Sequence, residues 1–215
     1  MWIDITQTLK NGIPNWPGDT QFSYELHYTK EQTGSVNIGK IVTSLHTGTH
    51  ADAPYHFDHE GETMEQLDIN RFIGTCIVID CRSQKEITAE WLQRFQFHSV
   101  ERVLLKTIDK IDDHFPRSVP IIHPNVAAFL KERGVKLLGV DIPSVDELTS
   151  KEVATHHALH KAGIYIVEGL VLEKIDEGYY DFIGLPLKIE GADGAPVRAV
   201  IRKINKVNVV NNNKV

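Results

Sequence analysis

The middle of the chain, residues 75 to 167, alternates between short apolar runs that predict strands and amphipathic segments that predict helices. The predicted strands are 75–80, 102–106, 135–141 and 164–167. The predicted helices are 88–97, a second that begins near Pro124 and ends at Gly134, and a third that opens with the capping-box pattern Thr149-x-x-Glu152 and ends at Gly163. Because strands that alternate with helices pair in parallel, this stretch predicts a parallel sheet.

The two ends of the chain predict strands with shorter connections. Segments 2–7, 22–29 and 41–45 precede the alternating region, and segments 181–187 and 197–204 follow it. Short connections favour antiparallel pairing for the N-terminal strands. We therefore predict an α/β fold with a mixed sheet, formed by a single domain over residues 1–215, in which residues after about 205 are frayed.

The stretch His46-Thr-Gly-Thr-His50-Ala-Asp52-Ala-Pro-Tyr-His56-Phe57 concentrates side chains that bind metals or transfer protons. Its β-branched residues, Gly48 and Pro54 favour an extended chain over a helix. In an extended chain His46, His50 and Asp52 would share one face, whereas in a helix Asp52 would point away from both histidines. Divalent metals bind imidazole nitrogen together with carboxylate oxygen, so this face predicts a metal site.

The predicted third helix offers three more histidines, His156, His157 and His160, within about a 100° arc of the helix surface. Their spacing alone does not select one as a further ligand. The following strand brings Glu168 roughly 16 Å back along the fold. His156 lies about 10 Å back and His160 only about 5 Å, so His156 meets Glu168 more nearly. We interpret His157 as a histidine hydrogen-bonded beneath the site.

Two further residues are candidates for work on a substrate. His56 follows Pro54, where the chain has turned, and is the best candidate for a general acid and base, the alternative being a support for the ligands. Trp16 lies in a turn-rich loop and is either a hydrophobic plug, which the residues alone favour, or an exposed aromatic platform. Ser144 lacks the G-x-S-x-G pattern of a serine nucleophile.

The string HTGTHADAPYHF resembles the signature of the cyclase family of metal-dependent hydrolases, in particular the bacterial-type kynurenine formamidases. Further matches follow the same order along the chain: Trp16-Pro-Gly-Asp-Thr20, Asp141-Ile-Pro-Ser-Val-Asp146, His156-His157, Glu168-Gly-Leu and Ala195-Pro-Val-Arg-Ala-Val200. The first motif is highly specific, and together the motifs span nearly the whole chain. The resemblance implies a swivelling β/β/α arrangement and a homodimer.

Carried over residue by residue, the resemblance implies five metal ligands: His46, His50, Asp52, His156 and Glu168. Five ligands exceed what one catalytic metal with an open position needs, so two ions per chain are expected. Asp52 would bridge them, with His46 and His50 on one ion and the other two ligands on the second. Zinc is the expected metal, and manganese is the alternative because two carboxylates weaken the preference. The resemblance also implies that Trp16 lies near the substrate.

The activity that the resemblance implies is hydrolysis of N-formyl-L-kynurenine to L-kynurenine and formate in tryptophan degradation. A bound metal lowers the pKa of water to about 7, which would supply hydroxide for attack on the formyl carbonyl. His56 would protonate the departing anilide nitrogen. The alternatives are another amide or cyclic-amide hydrolase of the family, such as an isatin hydrolase, and a non-catalytic metal-stabilised binding protein. A free imidazole beside a complete ligand set disfavours the last, because structural metal sites are closed.

Charge and composition limit the partners. The formal net charge is -6, and the basic residues are scattered, which argues against nucleic acid. Apolar runs fall short of the ~20 residues that span a bilayer, and the N-terminus lacks a basic region followed by an apolar one. We therefore expect a cytoplasmic protein that acts on a small molecule. Cys76 and Cys81 are five apart in one predicted strand, on opposite faces, and are interpreted as small apolar residues.

Overall fold

The computed structural model describes residues 1–98 and 100–204, which form a mixed α/β fold around an eight-stranded sheet. The strands are β1 Ile3–Asp4, β2 Ser23–Tyr28, β3 Ile38–Val42, β4 His50–Asp52, β5 Ile73–Asp80, β6 Glu86–Ile87, β7 Arg102–Lys106, β8 Ile121–Ile122, β9 Leu137–Val140, β10 Tyr165–Glu168, β11 Gly178–Pro186 and β12 Gly194–Lys203. The α-helices are α1 Lys30–Thr33, α2 Ala89–Leu92, α3 Asn125–Glu132 and α4 Ala154–Ala162. The fraying predicted after about residue 205 lies outside the described residues.

The sheet has a parallel half and an antiparallel half. β5, β7, β9 and β10 are neighbours and pair in parallel, which confirms the prediction from the alternating pattern. β11 and β12 continue the sheet antiparallel beyond β5. The short strand β4 pairs antiparallel with β10 on one side and with β12 on the other, so the sheet closes on itself like a barrel.

The parallel strands are buried on both faces because the sheet separates two apolar cores. Side chains such as Cys76, Val78 and Leu104 point to the inside of the barrel. Their neighbours Ile77 and Ile79 point to the opposite face, where α3 and α4 cover the sheet. Strands that are covered on both faces have continuous apolar sequences. For this reason the parallel half of the sheet could be predicted from the sequence. Cys76 and Cys81 lie in different cores, both buried and free, in agreement with the sequence interpretation.

Several elements are shorter than the sequence predicts. The helix predicted over 88–97 is only α2, because Phe97 turns away to pack edge-on against Phe129, with ring centroids 5.5 Å apart. The strand predicted over 2–7 ends at Asp4, since the backbone N–H of Gln7 donates to the hydroxyl of Thr49 instead of to a strand. No helix in residues 1–98 and 100–204 is long and apolar enough to cross a membrane.

The N-terminal hairpin of β2 and β3 confirms the predicted antiparallel pairing, although β3 lies three residues earlier than the segment 41–45. The register gives this ribbon two different faces. Tyr24, Leu26 and Ile41 share one face, and Ser23, Glu25 and Lys40 share the other. Every residue of both strands is exposed, including the apolar face.

Candidate metal centre and active site

Strand pairing brings three of the predicted ligands to one face of the sheet. His50 and Asp52 are two residues apart on β4 and point the same way, while Ala51 between them points into the barrel core. β10 lies antiparallel to β4 with Glu168 directly opposite His50. Directly opposite side chains are neighbours on one face of such a pair. All three ligand side chains are at most 4% exposed.

His46 also lies beside these side chains, but the backbone conformation that places it there differs from the prediction. The segment from His46 to His50 is not one extended strand, because it turns at Gly48, whose φ is +69°. This turn is closely packed: a Cβ on Gly169 would lie 2.2 Å from the carbonyl oxygen of Gly48. His46 folds back so that its Nδ1 lies 3.0 Å from Oδ1 of Asp52. The prediction of a shared face is therefore wrong in its backbone conformation, although the three side chains do meet.

His156 is delivered by the first turn of α4. The predicted capping box does not form, because the helix begins at Ala154 and not near Thr149. The carboxylate of Asp146 caps the helix instead, accepting from the backbone N–H of Thr155 at 2.9 Å and of His156 at 3.0 Å. The same carboxylate lies 2.7 Å from Nδ1 of His156, which leaves Nε2 facing the other predicted ligands.

The predicted ligands form two overlapping groups whose members lie within 4.8 Å of one another: His46, His50 and Asp52, and Asp52, His156 and Glu168. Nε2 of His156 lies 3.4 Å from Oδ2 of Asp52 and 3.6 Å from Oε1 of Glu168. Nε2 of His50 lies 3.4 Å from the other oxygen of each carboxylate. Both carboxylates therefore face both histidines.

This donor set fits divalent metal ions. Among the described residues, Oδ2 of Asp52 is buried without a hydrogen-bond partner, a costly state for a carboxylate oxygen unless a cation satisfies it. The outer ring nitrogens are held as in known metal sites, where a ligating histidine donates its other N–H to an oxygen. His50 Nδ1 lies 3.0 Å from the carbonyl of Gly48, and His156 Nδ1 contacts Asp146.

The carboxylates of this centre shift the pKa of its histidines. Burial opposes protonation of His46, but hydrogen bonds to Asp193 and Asp52 raise its pKa to about 10. Burial acts in the same direction on His156, and the neighbouring carboxylates of Asp146 and Asp52 raise its pKa to about 10 as well. Without a cation these rings hold protons, and a bound metal would replace them.

His56 lies beside the buried ligands, on the short 3-10 turn Pro54–His56 that follows β4. Its ring stacks on that of His46 with centroids 3.9 Å apart, and its side chain is 39% exposed. Burial and the neighbouring His46 lower the pKa of His56. An accessible imidazole with a lowered pKa is suited to accept a proton.

Trp16 lines the cavity above the predicted ligands. It is 39% exposed and makes an edge-to-face contact with Phe115, with ring centroids 5.3 Å apart. The same cavity is lined by His46, His56, Pro143 and Glu168. This exposure matches the aromatic platform and not the plug that the residues alone favour.

Other sequence interpretations have mixed outcomes. His157 is exposed with its ring against Phe57, so the interpretation as a histidine beneath the site is wrong. His157 lies on the exposed face of α4, so its imidazole is accessible to solvent. Ser144 lines the cavity, and its hydroxyl accepts a hydrogen bond from the backbone N–H of Asp146.

Three residues of the site were missed by the sequence reasoning. No local sequence pattern identifies Asp146 or Phe115 as a residue of the site, although Asp146 is the last residue of the motif Asp141-Ile-Pro-Ser-Val-Asp146. Asp193 lies in a loop before β12, and its Oδ2 is 3.0 Å from Nε2 of His46 and 3.2 Å from Nδ1 of His56. The only signal for Asp193 is an acidic residue in a glycine-rich loop, which is common on protein surfaces.

Comparisons with known proteins find relatives that match nearly the whole chain. The chain matches the family model described as "Putative cyclase" over residues 3–147. A curated relative from Bacillus cereus, named kynurenine formamidase, is 50% identical over 205 residues, which cover 94% of this chain and 98% of the relative. A solved structure described as a potential metal-dependent hydrolase with cyclase activity superposes with a TM-score of 0.81 at 27% identity, covering 95% of this chain and 99% of that chain. Isatin hydrolase A from Labrenzia aggregata, bound to benzyl benzoate, shares the fold with a TM-score of 0.76 at 24% identity, covering 94% and 93%.

Proposed function

Because this chain belongs to the cyclase family of metal-dependent hydrolases, we propose that it hydrolyses N-formyl-L-kynurenine to L-kynurenine and formate in tryptophan degradation. The observation that carries this assignment is the 50% identity, over 94% of the chain, to a relative named kynurenine formamidase. The chemistry of the site agrees with it, since metal-assisted amide hydrolysis uses a Lewis acid, an activated water and a proton donor for the leaving nitrogen.

The metal content proposed is two zinc ions per chain, with manganese as the alternative. The support is the pair of overlapping ligand groups that share Asp52, one completed by His46 and His50 and the other by His156 and Glu168. Elemental analysis after dialysis tests this number. About two equivalents are expected, and one equivalent in fully active protein would contradict the bridging role of Asp52.

The chain's own residues divide the work of hydrolysis. Bound divalent ions lower the pKa of water and polarise a carbonyl oxygen. The residues that would hold the ions are His46, His50, Asp52, His156 and Glu168. His56, half-exposed beside them, would act as general base and then deliver the proton to the departing anilide nitrogen. Trp16 and Phe115 would offer an aromatic surface to the aryl leaving group.

The rival activity within the family is hydrolysis of another amide or cyclic amide, as in isatin hydrolases. The likeness to isatin hydrolase A at 24% identity shows a common fold and does not favour that substrate. Zinc-loaded protein should be assayed with N-formylkynurenine and with isatin, each with and without excess chelator. Chelator-sensitive turnover of N-formylkynurenine that exceeds turnover of isatin is expected. Preferential opening of isatin would overturn the proposed substrate.

A homodimer is also proposed, and the hairpin of β2 and β3 supports it. Tyr24, Leu26 and Ile41, which share one face of the ribbon, are between 44% and 56% exposed. A two-stranded ribbon is marginally stable alone, and contiguous exposed apolar surface is typical of protein interfaces. A second copy of this chain would cover that face. The cytoplasmic location stays a prediction from the sequence.

A further inference from the structure

Asp193 is fixed beside the metal motif by the pairing of β12 with β4. The next residue, Gly194, lies opposite Asp52 in that pairing. The carbonyl oxygen of Asp193 accepts a hydrogen bond from the backbone N–H of Ala53 at 2.9 Å. The main chain therefore sets the position of Asp193, and its side chain points toward His46 and His56.

One oxygen of Asp193 contacts two imidazoles that have different predicted tasks. Oδ2 lies 3.0 Å from Nε2 of His46, a predicted ligand, and 3.2 Å from Nδ1 of His56, the predicted acid and base. Since a carboxylate only accepts, each of these ring nitrogens must be the donor.

The ring of His46 is also closely packed by two neighbours. The ring of His56 stacks on it at 3.9 Å, with an angle of 32° between the planes. A Cβ on Gly194 would lie only 2.7 Å from Cε1 of His46, so the ring packs closely against the main chain at a position where a larger residue would not fit. The contacts of its two nitrogens with Asp193 and Asp52 define the direction in which those nitrogens point.

We propose that Asp193 is the positioning residue of this site, and this inference rests on the proposed function. By accepting from Nε2 of His46, it leaves Nδ1 facing Oδ1 of Asp52, at a distance of 3.0 Å. By accepting from Nδ1 of His56, it holds that imidazole in the Nδ1–H tautomer. Nε2 of His56 is then the nitrogen that takes the proton and returns it to the leaving group.

The physical basis is the small number of protons on a neutral imidazole. A neutral histidine carries one N–H, and the hydrogen bond made by one nitrogen decides whether the other is free. Oxygens that accept from ligating histidines are worth about 10- to 100-fold in metal affinity or activity. Because a single oxygen serves both rings, loss of Asp193 should affect metal retention and proton transfer together.

The first test is the tautomer of His56, measured by long-range ¹H–¹⁵N NMR on zinc-loaded protein with ¹⁵N-labelled histidine. The spectrum of His56→Ala assigns the resonances. The wild type should show His56 with Nδ1 protonated, and Asp193→Asn and Asp193→Ala should shift it toward Nε2–H. Glu190→Gln, an exposed change in the same loop, is the matched control and should leave the spectrum unchanged.

The second test is a double-mutant cycle on kcat with N-formylkynurenine. Asp193→Ala should lower kcat by about 10- to 100-fold with little change in KM. In the His56→Ala background the same change should lower kcat by less than about threefold, because the residue through which Asp193 acts on the proton is already absent.

The third test separates positioning from direct ligation. Competition with a chelator should show metal affinity about 10- to 100-fold lower in Asp193→Ala, with the same metal stoichiometry as the wild type at saturating zinc. A lost equivalent at saturation would make Asp193 a ligand and overturn the inference. An Nε2–H tautomer of His56 in the wild type would also overturn it. The same would follow if Asp193→Ala lowered kcat by the full ~10- to 100-fold in the His56→Ala background.

The outcomes of these tests distinguish a failure of this inference from a failure of the proposed function. If the wild type does not turn over N-formylkynurenine, the formamidase assignment fails, while the tautomer and the chelator measurements still decide the role of Asp193.

Discussion

Glu168 and His50 lie directly opposite each other where β10 pairs with β4, and Oε2 of Glu168 is 3.4 Å from Nε2 of His50. Both side chains are at most 4% exposed, so neither is satisfied by bulk water. A buried carboxylate and a buried imidazole at this separation are placed to share a cation. By contrast, His56 is 39% exposed and lies at the edge of the same centre.

This difference predicts different effects for two alanine variants. His50→Ala should lose metal and activity together, because it removes a buried ligand. His56→Ala should keep metal content near that of the wild type and lower kcat by about 10²-fold or more, the scale of a general acid-base contribution. Elemental analysis and steady-state kinetics on the two proteins measure both quantities. Equal metal loss in the two variants would make His56 a ligand and end the proposed division of roles.

The grouping of the predicted ligands could be predicted from the sequence where it depends on local alternation. His50 and Asp52 share a face because β4 is a strand, and a period of two is readable in a single sequence. The parallel order of β5, β7, β9 and β10 was readable for the same reason, from alternating strand and helix patterns.

The predictions that were wrong or incomplete depend on contacts between residues that are far apart in the sequence. The start of α4 was misplaced because its cap is Asp146, nine residues before Thr155, and not the local Thr149. Asp193 was missed because it is 147 residues from His46 and 137 from His56, and meets them only after β12 pairs with β4. No spacing rule in a single sequence reports such pairings.

Stability should depend on pH through Asp141, at the end of β9. Burial raises the pKa of this carboxyl from 3.8 to about 6, against hydrogen bonds from Thr107 and Ile108 that lower it. The folded state therefore holds a proton between about pH 4 and pH 6 that the unfolded state has released. The contribution of Asp141 to the free energy of unfolding should fall as pH rises through this window, by about 3 kcal/mol for two pKa units, and level off above it.

Asp141→Asn checks this dependence, since asparagine does not titrate. Chemical unfolding from pH 4 to pH 7 in excess chelator keeps metal release out of the comparison. The Asn variant should lose this fall in stability relative to the wild type, although it will be less stable at neutral pH. Asp113→Asn, at a side chain that is 89% exposed, is the control. Parallel pH profiles for wild type and Asp141→Asn would contradict the prediction.

The hairpin face predicts the assembly state. The chain mass is 24.3 kDa, and light scattering at micromolar concentration should give about twice that value. Leu26→Asp with Ile41→Asp places two charges on the apolar face and should produce monomers, because burying unpaired charges is costly. Ser23→Asp, on the opposite face of the same ribbon, should remain dimeric. A wild-type mass near that of one chain would reject the homodimer.

The last prediction concerns the acyl group, on which the metal ligands give no information, since two ions and a histidine would cleave many amides. Discrimination must come from the cavity walls. A formyl carbonyl carries only hydrogen, so a tight space beside the ligands would accept it and exclude an acetyl group by overlap. The aryl group would meanwhile rest on Trp16, which already packs edge-to-face with Phe115. We expect kcat/KM for N-formylkynurenine to exceed that for N-acetylkynurenine by about 10-fold or more, and Trp16→Ala to raise KM for the formyl substrate. Equal turnover of the two acyl groups would overturn the formamidase assignment, whereas an unchanged KM in Trp16→Ala would remove only that residue from the substrate site.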